Sequence, residues 1–226
     1  MFDECTDGDG DYSEIIRAEY KIAAAIQEMG ENAVDSAHFR YVHNVADVPE
    51  IIRYEQDGHR SYMESNQKFP TPRGVVNGEI NSTADGPGVS IVRFAGIIDT
   101  LLVTASTPID AAQTQTRFNF YVRSLGDEAT NSSVGEAFAD EVIKQFTEDM
   151  PIWEHKAHLV RPALADTDGP FMKYRKWYAQ FYVEEPSAET PVSVERTVFP
   201  PPYWPDKMDE VPGKATASVK HGGSAL

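Results

Sequence analysis

Cysteine is almost absent from this sequence of 226 residues, which contains only Cys5. One thiol excludes an internal disulfide framework and a four-thiolate zinc site. It also excludes an iron–sulfur cluster ligated by this chain alone, because such clusters need at least two cysteine ligands. Cys5 lies among acidic residues, where a thiolate is disfavoured, so it is not expected to act as a nucleophile.

Basic residues and long apolar runs are also scarce. Twenty Lys and Arg stand against 36 Asp and Glu, a formal net charge of −16. This charge repels phosphate backbones and anionic surfaces, so nucleic acid is not an expected partner. The longest apolar stretch, about residues 97–105, is interrupted by Asp99 and Thr100, and the acidic N-terminus does not look like a signal peptide. With no membrane span expected, a soluble cytoplasmic protein is predicted.

Several catalytic motifs are missing as well. The sequence has no Gly-x-Gly-x-x-Gly and no Walker-type loop, which disfavours a nucleotide-binding doubly wound fold. None of the six histidines begins a His-Glu-x-x-His or a His-x-Asp/Glu motif, which disfavours the common metalloproteases and the 2-oxoglutarate oxygenases. The Gly-x-Ser-x-Gly elbow of serine hydrolases is also absent.

The apolar residues that are present make up 41% of the chain, enough for one sizeable core. Between about residues 60 and 122, period-two alternation of β-branched and aromatic side chains predicts an antiparallel sheet. Turn chemistry at Asn77-Gly78, at Asp85-Gly86-Pro87-Gly88 and at Thr107-Pro108 separates its strands. The predicted strands are Ser61–Phe69, Gly74–Ile80, Val89–Phe94, Ile97–Thr104 and Thr114–Val122.

Helical spacing predicts three helices around this sheet. The first is expected near Asn32–His43, and an aromatic-rich one covers residues 170–183. Between them, a long helix begins at a Ser132 or Ser133 cap with Glu136 near N3, and Pro151 is expected to stop it. The following Glu154-His155-Lys156-Ala157-His158 is expected at the surface. From Glu184 onward, repeated prolines predict an extended tail.

Two histidines and an aspartate in the first predicted helix have the spacing of a metal site. His38 and His43 are five residues apart, about 140° around an ideal helix, so they can share an ion only if the helix end opens locally. Asp35 precedes His38 by three residues, where its carboxylate can accept the imidazole proton that does not face the metal. Two imidazoles and one carboxylate form the facial triad of non-haem Fe(II) sites.

The third ligand has to come from another element of the fold. A carboxylate at the end of the long helix is the natural candidate, and Asp149 is that residue. Glu148 and Asp140 are alternatives on the same helix that point in other directions.

The segment Glu31-Asn-x-x-Asp-x-x-His38-x-x-x-x-His43 resembles the mononuclear-iron motif of the Rieske non-haem iron oxygenases. Later blocks are similar to the branch that contains 3-ketosteroid 9α-hydroxylase oxygenase subunits and cholesterol 7-desaturases. The resemblance spans residues 31–182, most of the chain. The later blocks are Glu148-Asp-Met-Pro-Ile-Trp-Glu-His-Lys156, Arg161-Pro162, Asp168-Gly169-Pro170 and Arg175-Lys-Trp-Tyr-x-Gln-Phe-Tyr182.

The resemblance implies an α+β fold of the helix-grip (Bet v 1/START-like) type, in which a curved antiparallel sheet surrounds a long helix and a steroid-sized cavity. It implies Fe(II) held by His38, His43 and Asp149. In the family, the aspartate that matches Asp35 links a metal histidine to the Rieske cluster of a neighbouring subunit in a trimer. The residue that matches Asn32 lies near the iron.

The chain departs from the family in one respect, since it lacks the Cys/His pairs that ligate a Rieske [2Fe–2S] cluster. The expected organisation is therefore a residual segment at a truncated Rieske junction (residues 1–30), a mononuclear-iron catalytic domain (31–183) and a proline-rich tail (184–226). A separate Rieske domain or subunit and a ferredoxin reductase are expected partners, and the intact family implies a homotrimer.

The leading functional hypothesis is an oxygenase-component catalytic domain that binds Fe(II) and O2 and hydroxylates a steroid. Sterol 7-desaturation is the alternative within the same chemistry. A non-catalytic steroid- or lipid-binding module and a decayed fragment are rivals from other classes. Strand residues Val89, Ile91, Phe118 and Phe120 are candidate pocket walls, although alternation alone does not give the inward face.

Overall fold

The computed structural model describes residues 12–71, 74–96, 98–123 and 128–182, and the backbone of 220–221. Eight antiparallel strands form one sheet in the order β2-β3-β4-β5-β6-β7-β1-β8. The strands are β1 (Tyr12–Ile22), β2 (Glu50–Asp57), β3 (Arg60–Thr71), β4 (Gly74–Asp85), β5 (Val89–Ala95), β6 (Thr100–Pro108), β7 (Thr114–Arg123) and β8 (Lys220–His221).

Strands β3 to β7 correspond to the five predicted strands, but two of the predicted turns, Asn77-Gly78 and Thr107-Pro108, lie within strands, the second at the paired end of β6. Asn77 and Gly78 pair with Lys68 and Gln67 inside β4. A Cβ atom at Gly78 would overlap the main-chain oxygen of Ala95 and the ring of Phe69. Gly78 is therefore needed because neighbouring strands approach closely at this position, and it does not reverse the direction of the chain.

Strands β1 and β2 were not predicted. β1 lies beside β7, and its side chains at alternate positions are buried: Ile16, Ala18, Tyr20 and Ile22. This is the period-two pattern of a strand with one face on a core. The sheet therefore extends back to Tyr12, and the segment before residue 31 contributes to the same hydrophobic core.

The long helix α3 (Glu128–His155) packs against β1 and β7 and contributes to the main hydrophobic core. Ala139, Met150 and Trp153 are its most buried apolar side chains. The helix continues through Pro151 instead of stopping there. A proline costs the helix one main-chain hydrogen bond, but burial of Met150 and Trp153 on either side of it favours continuation.

In place of the predicted helix at 32–43, the structure has a 3-10 turn and a short α-helix with a break between them. Helix α1 (Ile26–Gly30) runs into a 3-10 turn at Glu31–Val34, and helix α2 (Ala37–Tyr41) follows. Asp35 lies between them with φ −93° and ψ 86°, outside the helical region. Its carboxylate accepts a hydrogen bond from the His38 main-chain N–H, as a helix-capping aspartate does, and this explains the break.

A buried cluster of charged residues connects the segment 26–34 to the residues that follow α3. Glu31 is 1% exposed and binds Lys156 at 2.6 Å and Arg175 at 2.5 Å. Glu28 pairs with Lys156 at 2.9 Å and with His158 at 2.6 Å. The prediction that the segment 154–158 lies at the surface is therefore wrong for Lys156 and His158.

The aromatic-rich segment forms helix α4 (Phe171–Tyr178) and a 3-10 turn at Ala179–Phe181, as predicted apart from its last residues. Trp177 donates to the main-chain oxygen of Gly58 at 3.1 Å. No helix in the described ranges has the length and hydropathy needed to cross a bilayer. The predicted extended tail lies outside the described residues, apart from 220–221, whose backbone pairs with Ile16 and Arg17 of β1.

The Glu31 cluster predicts a specific pH dependence of stability. Burial raises the pKa of Glu31, but hydrogen bonds and charge from Arg175 and Lys156 outweigh this, so the pKa lies below the ordinary 4.5. Because the folded-state pKa is the lower one, ionised Glu31 stabilises the protein above pH 4.5, and this contribution is lost as the pH falls through the folded-state value. Glu31→Gln should lower the free energy of unfolding by about 3 to 5 kcal/mol at pH 7.

Urea denaturation followed by tryptophan fluorescence measures this effect. The difference between wild type and Glu31→Gln should shrink as the pH is lowered below 4.5. Glu55→Gln, which breaks an exposed pair with Arg53, is the control and should change stability by less than about 1 kcal/mol. Equal effects of the two substitutions at pH 7 would contradict the stabilising role of the buried Glu31 ion pairs.

Candidate metal centre

Two separate chain segments bring His38, His43 and Asp149 together. His38 lies in α2, His43 lies just beyond its end, and Asp149 lies in α3. One possible ligand atom from each residue lies within 4.8 Å of the other two. The His43 and Asp149 side chains are 2% and 6% exposed. The three residues predicted to share a metal therefore form one buried cluster.

The local backbone explains how two histidines five residues apart can converge. Helix α2 ends at Tyr41, and Asn44 adopts a positive φ of 57°. His43 is thus outside the helix and is no longer fixed at 140° from His38. The two ring centroids are 5.2 Å apart, and the rings are nearly perpendicular, at 84°. The helix is therefore open at the position of His43, which is the condition under which the two histidines can face one another.

Asp35 orients His38 through its main chain rather than through its carboxylate. The Nδ1 atom of His38 is hydrogen-bonded to the main-chain oxygen of Asp35, and the Asp35 carboxylate instead accepts the His38 main-chain N–H at 3.2 Å. The prediction that this carboxylate accepts the imidazole proton is wrong because the carboxylate caps α2. The contact leaves Nε2 of His38 as the atom available to a metal.

Glu148 supplies the corresponding contact for His43. Its carboxylate lies 2.9 Å from Nδ1 of His43, while Nε2 of the same ring lies 3.3 Å from Asp149. Glu148, an alternative ligand in the sequence analysis, is therefore placed on the far side of the ring from Asp149. Asp140, the other alternative, is exposed on α3. Of the three carboxylates, Asp149 is the one that faces both histidines.

Asn32 completes the cluster. Its Nδ2 donates to Asp149 at 3.0 Å and lies 3.3 Å from Nε2 of His38. The amide therefore holds the Asp149 carboxylate and lies next to a histidine nitrogen. Asn32 therefore lies beside two of the three candidate ligands.

Burial and charge set the protonation of the two imidazoles. Burial lowers the pKa of His38, and the opposing effect of Asp149 and Asp35 is smaller, so the pKa lies below the ordinary 6.5. Burial also lowers the pKa of His43, but hydrogen bonds and charge from Asp149 and Glu148 raise it above the ordinary value. The surroundings therefore favour the neutral form of His38 and the protonated form of His43.

A cavity of about 250 Å³ lies between the helices and the sheet, and Asn32 is one of its lining residues. Its helical wall includes Phe146 and Trp153 of α3, which flank the turn that carries Asp149. Its sheet wall comes from β2 to β7. Of the candidate pocket-wall residues, Val89 and Phe118 are in the lining, whereas Ile91 and Phe120 are buried elsewhere. Other lining residues are the apolar Ile26, Met29, Val34, Met63 and Val92 and the aromatic Tyr54, Tyr174 and Trp177, which carry polar groups.

The donor set fits a divalent cation of the first transition series. Two imidazole nitrogens and one carboxylate oxygen form the facial arrangement used by non-haem Fe(II). Glu28, Glu31 and His158 also lie close enough to one another to hold an ion. There, however, Lys156 and Arg175 already neutralise the carboxylates. The His38 cluster is the better metal site of the two.

Comparison with solved structures supports a helix-grip fold. The Pseudomonas putida CBB5 protein NdmA (QL mutant, with theobromine) superposes with a TM-score of 0.60 at 19% identity, covering 79% of this chain and 52% of that one. Dicamba monooxygenase bound to 3,6-dichlorosalicylic acid gives 0.53 at 14% identity, covering 77% and 60%. The predicted α+β helix-grip fold is confirmed.

The sequence profile described as the 3-ketosteroid 9alpha-hydroxylase C-terminal domain matches residues 3–182, and the chain belongs to this family. The oxygenase component of 3-ketosteroid-9-alpha-monooxygenase from *Rhodococcus rhodochrous* is 30% identical over 173 residues, covering 70% of this chain and 45% of that protein. Cholesterol 7-desaturase from *Caenorhabditis elegans* is 28% identical over 199 residues, covering 74% and 45%. The chain spans less than half the length of these relatives.

Family membership confirms the resemblance identified from the sequence and implies an iron cofactor. The role of Glu148 was missed in the sequence because its contact with His43 joins residues 105 positions apart. The adjacent pair Glu148-Asp149 is the one signal that could have indicated it.

Removal of the Glu148 carboxylate should weaken metal binding without removing a ligand. Glu148→Ala is expected to lower the affinity for Fe(II) roughly 10- to 100-fold, because loss of a hydrogen-bond partner frees a ligating imidazole to turn. Anaerobic calorimetric titration measures the affinity. Glu141→Ala, which removes an exposed carboxylate of the same helix, is the matched control and should bind like wild type. Identical affinities of the two variants would contradict the role of Glu148.

Proposed function

We propose that this chain is the catalytic domain of an iron-dependent monooxygenase that hydroxylates a steroid. The observation that carries the proposal is the convergence of His38, His43 and Asp149 in one buried cluster, in contact with Asn32, which also lines an apolar cavity. The relatives named as 3-ketosteroid-9-alpha-monooxygenase oxygenase components give the substrate class.

The protein residues that would hold Fe(II) are His38 and His43, each through Nε2, and Asp149 through its carboxylate. When bound, the metal supplies open coordination positions at which O2 is activated. The main-chain oxygen of Asp35 and the Glu148 carboxylate accept the Nδ1 protons of the two rings and fix their orientation. The amide of Asn32 holds the Asp149 carboxylate.

The reaction consumes a C–H bond of the steroid, O2, two electrons and two protons, and it yields an alcohol and water. The apolar lining of the cavity holds the ring system and excludes bulk water from the reacting carbon. A Rieske [2Fe–2S] cluster needs two cysteines, and this chain has one. A Rieske domain or subunit and a ferredoxin reductase are therefore proposed as partners. Asp35, half-buried beside His38, is the proposed contact toward that cluster in a homotrimer.

Sterol 7-desaturation is the second candidate reaction, favoured by similarity to the *C. elegans* enzyme over 199 residues. It begins with the same C–H cleavage but removes a second hydrogen and yields an alkene and two waters. A lipid carrier without redox chemistry would also use the apolar cavity. The buried His-His-Asp cluster argues against that reading, because a carrier gains nothing from buried polar groups.

Anaerobic Fe(II) titration of the purified 226-residue chain tests the proposal. Wild type should bind close to one iron per chain, whereas His38→Ala and Asp149→Ala should lose stoichiometric binding, because each removes one of three protein ligands. Asp140→Ala, an exposed aspartate of the same helix, is the control and should bind one iron. A folded wild-type chain that binds no stoichiometric iron would overturn the oxygenase assignment.

A further inference from the structure

The sheet wall of the cavity carries a row of hydroxyl groups in an otherwise apolar lining. Ser90 of β5 lies directly opposite Thr104 of β6 in the strand register, and Ser106 of β6 lies opposite Thr116 of β7. All four residues line the cavity, as does Ser82 of β4. Side chains opposite one another on neighbouring strands have Cβ atoms about 5 Å apart, so each pair presents two hydroxyls side by side.

The two pairs differ in how their hydrogen-bonding capacity is used. Ser106 and Thr116 bond to each other, with 2.9 Å between their oxygens. Within the part of the chain that the structure describes, the hydroxyls of Ser82, Ser90 and Thr104 make no hydrogen bond to protein, and their strands' main-chain groups are engaged in the sheet. All three residues are half-buried in the cavity wall, so their hydroxyls can bond to a molecule that occupies the cavity.

The position of these hydroxyls separates them from the metal cluster. They belong to the sheet wall, whereas Asn32, Phe146 and Trp153 belong to the helical wall next to Asp149. A rigid ligand that fills the cavity contacts both walls. Its carbon skeleton meets the apolar lining, and the hydroxyl row of the sheet wall offers hydrogen-bond partners for an oxygen atom that it carries.

We propose that Ser90 and Thr104, assisted by Ser82, are the specificity-determining residues that bind an oxygen substituent of the steroid and so orient it in the cavity. A hydroxyl both donates and accepts, so this site takes a ketone or an alcohol oxygen. A few placed polar groups in an apolar pocket fix orientation in this way. This inference depends on the proposed function in one respect, because it takes the cavity as the site that binds the steroid.

The test compares two steroids of one skeleton on the metal-free 226-residue chain. The probes are androstanedione, with two ketones, and androstane, with none. Trp153 and Trp177 line the cavity, so quenching of intrinsic fluorescence reports binding of both. Wild type should bind the dione more tightly. Ser90→Ala and Thr104→Val should each weaken dione binding, roughly tenfold for a lost neutral hydrogen bond, and leave androstane binding unchanged.

Two controls separate recognition from folding. Thr83→Val makes the same chemical change on β4 but at a position between the inward residues Ser82 and Ala84, so it should leave both affinities unchanged. Thr104→Ser keeps the hydroxyl and should keep the preference for the dione. A collapse of that preference in Ser90→Ala and Thr104→Val, with both controls like wild type, supports the proposal.

Other results overturn it. An unchanged preference in the two variants, or an equal loss for both steroids, would show that the hydroxyls do not recognise oxygen. Failure of wild type to bind either steroid would also overturn the inference, together with the steroid assignment. The iron titration is independent of these residues, so stoichiometric iron alongside any of these results would leave the metal centre in place.

Discussion

Asp149 is a carboxylate almost removed from solvent, and such a group is stable only where hydrogen-bond donors or positive charge surround it. The donors come from the segment before β2, where Asn32 lies 3.0 Å away and His43 lies 3.3 Å away. This requirement fixes the segment against the end of α3. The break in the helix at Asp35 and the positive φ of Asn44 both allow this arrangement, because a continuous helix would turn one histidine away from Asp149.

The charged cluster around Glu31 reinforces the same junction from the other side. Glu31 immediately precedes Asn32, and its partners Lys156 and Arg175 follow α3 and lie in α4. A buried carboxylate with two cationic partners restricts the 3-10 turn that carries Asn32. The cluster of His38, His43 and Asp149 is thus held by its own hydrogen bonds on one side and by the Glu31 ion pairs on the other.

The parts of this structure that could be predicted are those set by local pattern. Strands β3 to β7 follow from period-two alternation, and His38 and His43 follow from their motif. The strand β1 shows the same alternation, but neighbouring apolar residues in positions 23–29 give mixed spacing that hides it. Pro151 did not end α3, because the burial of Met150 and Trp153 depends on tertiary packing that sequence spacing does not show. The contacts of Glu31 with Lys156 and Arg175 join residues more than a hundred positions apart.

The two walls of the cavity come from different stretches of the chain. The helical wall uses residues 26–34 and 146–177, whereas the sheet wall uses residues 54–118. The walls meet where Phe118 of β7 packs against Phe146 of α3, with ring centroids 4.4 Å apart. Substitutions at such a contact are expected to couple, whereas those at well-separated positions add nearly independently. The shape of the cavity is therefore a joint property of the two stretches, and a change at this contact selects for a matching change in the other wall.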